Sequence, residues 1–139
     1  MIEIDADKIG KKYYSQGKES DITNLQLTDD GLTISVSSWI SPENLIEIEY
    51  RFNEYRGFRY LDEVDLFAYW GYIEFGGGYH LYEITNGGWK SGEVKEKGVL
   101  DSSLVIEGLK EYFIATTNGC LTILAFKTPE IREIEFNEE

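Results

Sequence analysis

Tyr112-Phe113-Ile114-Ala115-Thr116-Thr117-Asn118-Gly119-Cys120-Leu121-Thr122-Ile123-Leu124-Ala125-Phe126 consists of two apolar runs separated by Asn118-Gly119. A two-residue type I′ turn needs positive φ at both central positions, and Asn-Gly tolerates it best. The reading is a hairpin with strands over 112–117 and 120–126, placing Thr117 opposite Cys120, Ile114 opposite Ile123, and Phe113 facing Leu124 from the other side of the sheet. Both faces of this hairpin are apolar, so it is expected at the centre of a sheet that is covered on each side.

Working outward, further turns divide the chain. Asp29-Asp30-Gly31 separates the run 22–27 from Leu32, Ile34 and Val36, which alternate with small polar residues; this predicts a hairpin in which Gly31 supplies a positive φ. Ser41-Pro42-Glu43 has the cap, proline and acid of a short helical turn. Ile46, Ile48, Tyr50 and Phe52 alternate with Glu47, Glu49 and Arg51, the period of a strand with one buried face. After Tyr55-Arg56-Gly57 the chain resumes at Phe58-Arg59-Tyr60-Leu61.

Asp62, Glu63 and Asp65 open a predicted helix running from about Glu63 to Trp70 or a little beyond, with Val64, Phe67, Ala68, Gly71 and Tyr72 as the sheet-facing stripe. Residues 79–84 and 89–94 flank Asn86-Gly87-Gly88 as a second predicted hairpin. Asp101-Ser102-Ser103 caps a second predicted helix, with Val105, Leu109 and Tyr112 on one face. Thr128-Pro129-Glu130 is a further capped turn before an expected edge strand over 131–136. The fold class expected from these signals is α+β: a mainly antiparallel sheet of about six to eight strands with two short helices packed on it.

The 139 residues are the size of one domain, and 42% hydrophobic with 14% aromatic content is the composition of a folded chain. Thirteen basic against 26 acidic side chains leave a net charge of −13. Phosphate backbones and anionic lipids would be repelled, so nucleic acid and membrane surfaces are excluded as expected partners while a basic protein is permitted. The acidic N-terminus lacks the pattern of a signal peptide, and no apolar run approaches the ~20 residues that span a bilayer. A single cysteine, Cys120, and the absence of an Asn-x-Ser/Thr sequon point to a reducing cytoplasm.

The motifs of chemistry are sparse. One His and one Cys supply no zinc ligand set, and neither H-E-x-x-H nor C-x-x-C occurs. Gly76-Gly77-Gly78 leads into Tyr79-His80 rather than Lys-Ser/Thr, so no phosphate cradle is formed. Neither cofactor nor metal is expected. His80 is the only imidazole, and alternation groups it with Tyr82 and Ile84 on one strand face, a structural placement. Paired carboxylates such as Glu47 and Glu49 arise by chance in so acidic a chain.

What remains is a mixture of aromatics and acids. Tyr60, Asp62, Glu63, Asp65, Trp70, His80, Tyr82 and Trp89 form a candidate binding surface if the first helix packs beside the second hairpin, with Trp89 at a hairpin tip as its anchor. In size, charge and missing motifs the chain resembles bacterial immunity proteins and nuclease inhibitors as a broad class, a resemblance that transfers no residue. The expected function is a non-enzymatic, cytoplasmic binding protein, monomer or homodimer, that neutralises a basic protein partner. The alternatives are a small hydrolase or carbohydrate-binding protein with an aromatic-acidic cleft, and a structural homo-oligomer subunit.

Overall fold

A computed structural model describes residues 5–62, 78–86 and 108–135. Within them lie nine strands: β1 (Asp5–Ile9), β2 (Asp21–Thr28), β3 (Gly31–Ser41), β4 (Asn44–Phe52), β5 (Tyr55–Asp62), β6 (Leu81–Asn86), β7 (Lys110–Ala115), β8 (Gly119–Ala125) and β9 (Glu130–Glu135). They form two antiparallel sheets, of order β1-β6-β7-β8-β5 and β2-β3-β4-β9.

Period-two patterning decides what each sheet buries. Along β4, Ile46, Ile48, Tyr50 and Phe52 are buried while Glu47, Glu49 and Arg51 stay partly exposed, as the alternation predicts. Leu32, Ile34 and Val36 of β3 pair with Phe52, Tyr50 and Ile48 and so share that face. These residues join Leu81, Tyr112, Ile114, Leu121, Ile123 and Ala125 of the five-stranded sheet in one apolar cluster, making a two-layer sandwich. Each such aliphatic side chain contributes about 1.5–3 kcal/mol relative to an exposed one, which drives the layers together.

The α+β expectation is corrected: the described residues are all-β, in two sheets rather than one, and contain no helix. Tyr112, claimed both by the second predicted helix and by the predicted strand over 112–117, lies in β7. The aromatic and β-branched run Tyr112-Phe113-Ile114 fits a pleated surface better than a helix and prevails over the spacing of Val105, Leu109 and Tyr112. The start of that helix, the whole of the first one and the hairpin arm 89–94 lie outside the described residues. Ser41-Pro42-Glu43 opens no helical turn either. Ser41 pairs with Asn44 across a tight turn, and Asn44 Nδ2 donates to Ser41 Oγ at 2.6 Å. Proline's fixed φ serves the second position of such a turn as well as it serves a helix start.

The hairpin of β7 and β8 is interior to its sheet and buried on both faces, its second face holding Phe113, Ala115 and Cys120 with Tyr82 and Ile84 of β6. Its register differs from the expected one. Ala115 pairs with Cys120, Ile114 with Leu121 and Phe113 with Thr122, so Thr117-Asn118 rather than Asn118-Gly119 forms the tip. The Thr116 amide donates to the Gly119 carbonyl at 2.9 Å and the Gly119 amide to Thr116 Oγ1 at 3.1 Å, which closes the turn. Contacts with the residue before β2 and the first residue of it select this tip: the Thr117 amide donates to Ser20 Oγ at 2.9 Å, the Ser20 amide to Thr117 Oγ1 at 3.0 Å, and Asn118 Nδ2 to the Asp21 carboxylate. Gly119 itself has no positive φ; a Cβ there would meet the outer end of the Tyr60 ring.

Gly31 does meet its expectation, with φ of 124° at the start of β3 and the Phe52 carbonyl packed where a Cβ would sit. The segment between β1 and β2 stitches the layers along one side. The Tyr13 amide donates to the Gly78 carbonyl at 2.7 Å, and the Tyr14 amide to that of Trp39 at 2.8 Å. Strand β9 closes the four-stranded sheet as an edge, paired only with β4 among the described residues.

Candidate functional site

The row Leu32, Ile34, Val36 of β3 continues to Ser38, so alternation aims a hydroxyl into an apolar layer. His80 meets it there. The residue lies just before β6, and its Nδ1 stands 2.8 Å from the Ala115 carbonyl oxygen, which only accepts; Nδ1 therefore carries the proton. The neutral ring then accepts through Nε2, 2.7 Å from Ser38 Oγ, whose hydroxyl donates. Tyr13 packs its ring 5.5 Å from the imidazole. Burial holds the His80 pKa below its usual value, with the Ala115 bond opposing the shift.

This is the hydrogen-bond chain of an activated serine, but both groups are sealed, with Ser38 only 1% and His80 6% exposed. A substrate carbonyl has no path to Ser38 Oγ. The chain acts as a polar pin between the two sheets.

An accessible site lies at the open margin of the sandwich, where β1 and the segment after it approach β9. Glu133 pairs with Ile48 and Ile131 with Tyr50, so both side chains of β9 turn toward the inter-layer space. A cleft of about 270 Å³ opens there, lined by Ile9, Gly10, Lys11, Tyr13, Tyr50, Ile131 and Glu133. Lys11 Nζ lies 2.8 and 2.7 Å from the two Glu133 oxygens and 5.3 Å from the Tyr13 ring centroid. The Tyr13 hydroxyl donates to Glu133 Oε2 at 3.3 Å. Both phenols are raised well above the ordinary tyrosine range, Tyr13 by burial and then by the Glu133 charge, Tyr50 by burial and then by Tyr13 and Glu133. They remain neutral donors at any physiological pH. The arrangement offers one carboxylate and an aromatic face, the chemistry of a cation site.

Of the residues expected to form an aromatic-acidic surface, the three whose side chains are described, Tyr60, His80 and Tyr82, do not come together. Tyr60 is 56% exposed on β5, opposite Leu121, and Asp62 ends that strand. Tyr82 is buried on β6 opposite Phe113. Leu121 and Phe113 belong to clusters on opposite faces of the sheet, and β7 and β8 separate β5 from β6, so Tyr60 and Tyr82 do not meet. His80 turns to Ser38 and Tyr13 instead of joining Tyr82 and Ile84. Glu63, Asp65, Trp70 and Trp89 lie outside the described residues.

Reading the sequence overlooked Ser38, Lys11, Tyr13 and Glu133. Ser38 had a signal, a polar residue in register with three apolar ones. The other three had none, because about 120 residues separate Lys11 and Tyr13 from Glu133.

Among the described residues no group of three or more His, Cys, Asp or Glu side chains is placed to hold a metal ion, and no helix is long and apolar enough to cross a membrane. The chain matches no protein-family model, no curated protein and no solved structure.

Proposed function

We propose that this chain is a non-enzymatic binding protein that sequesters a basic protein partner in the cytoplasm, engaging it along the open edge of β9. The observation that carries the reading is the edge itself: Glu130 and Glu135 stand exposed on a strand paired on one side only among the described residues, with Ile131 41% exposed between them. Carboxylates on such an edge repel an acidic or identical strand and admit a basic one, whose backbone extends the ladder. The overall charge of −13 steers a cationic partner toward it.

Affinity capture from the source cell, followed by reconstitution of the purified pair, tests the proposal. The expected result is a 1:1 complex with a basic protein that the double charge reversal Glu130→Lys and Glu135→Lys slows in association by about tenfold or more. A partner of neutral or acidic character, or binding indifferent to the reversal, would overturn it.

A further inference from the structure

Lys11 occupies its cleft from the solvent side: its side chain is 55% exposed, against 30% for the Glu133 carboxylate it meets. An exposed ammonium–carboxylate pair of this kind is weak and readily exchanged. Beneath it the site is more than an ion pair. The Glu133 carboxylate is oriented by the Tyr13 hydroxyl, the Tyr13 ring presents its face, and Tyr50, Ile9 and Ile131 provide apolar walls for an aliphatic stem. The volume of about 270 Å³ leaves room for a second four-carbon stem once Lys11 swings away.

We infer that this cleft is a recognition pocket for a lysine side chain of the partner, and that Lys11 is its intramolecular occupant in the free protein. The inference rests on the basic-partner reading and specifies how that partner is anchored. The incoming ammonium takes both Glu133 oxygens and stacks over Tyr13 while its flanking backbone lies along β9, so the pocket is continuous with the strand edge. Removing Lys11 therefore strengthens binding, although it deletes a positive charge from an apparent salt bridge.

The test is an NMR titration of the full chain with Nα-acetyl-lysine N-methylamide, using the norleucine analogue as the uncharged control. The expected result is saturable shifts at Tyr13, Tyr50, Ile131 and Glu133 for the lysine compound alone. Lys11→Ala should tighten that binding roughly two- to fivefold, the range set by loss of an exposed competing pair. Glu133→Gln should abolish it. No shift at these residues up to about 100 mM, or a Lys11→Ala variant that binds equally or more weakly, overturns the pocket. Lys11 is exposed, so its variant keeps the test open even if Glu133→Gln impairs folding. Failure here beside salt-dependent capture of a basic protein removes the pocket and leaves the proposed function standing. Success here with a salt-indifferent partner does the reverse.

Discussion

Ser38 Oγ lies 2.7 Å from His80 Nε2, a bond that crosses from β3 of one sheet to the residue preceding β6 of the other. Deleting one partner leaves the other buried without its bond, which costs about 1–3 kcal/mol, whereas replacing both by apolar groups of similar shape is close to neutral. Ser38→Ala should therefore lower unfolding free energy in urea by that amount, and Ser38→Ala combined with His80→Phe should recover most of it. Additive losses in the double variant would show that the pin is not a unit.

The same ring predicts a pH dependence. Burial lowers the folded pKa of His80 below the ordinary imidazole value of 6.5, so the ring is neutral in both states well above that pH and its contribution is fully present. As pH falls through the unfolded value, the unfolded chain takes up the proton first and stability declines until the folded ring titrates. The slope of unfolding free energy against pH just below 6.5 should be positive and should shrink in His80→Gln. Equal slopes in the two proteins would contradict the assignment.

Two glycines separate backbone from side-chain constraint. At Gly31, φ of 124° and the adjacent Phe52 carbonyl both oppose a side chain, and neither can yield. Gly31→Ala should cost at least about 1–3 kcal/mol with no rescue elsewhere. At Gly119 the obstacle is the ring of Tyr60, which is 56% exposed and free to move. Gly119→Ala should be milder, and Tyr60→Ala should relieve it in thermal unfolding; a Gly119→Ala penalty unchanged by Tyr60→Ala would point to the backbone instead.

Local chemistry was legible wherever one face of one strand decided the outcome. The alternation of Ile46 to Phe52, the glycine at 31 and the two-sided apolar hairpin of β7 and β8 were all readable, because each depends on neighbours in sequence. The tip of that hairpin was not. Asn118-Gly119 carries a strong turn preference, yet hydrogen bonds from Ser20 and Asp21, 97 residues away, select Thr117-Asn118. Strand β1 escaped notice because Asp5, Asp7 and Lys8 make it polar, and it is held through pairing with β6. The division into two sheets was hidden for a related reason: the apolar face of β3 reads the same whether β8 shares its sheet or faces it across a core. The cleft depends on Lys11 and Glu133, which only the closure of the sandwich brings together.

The claim that matters most is that carboxylates on this chain recruit a basic partner. Stopped-flow association with the captured protein at low and high ionic strength tests it directly. Steered encounter predicts that the association rate falls by about tenfold or more as salt rises from ~0.05 to ~0.5 M while dissociation changes far less. An association rate that is flat or rising over that range would contradict the account.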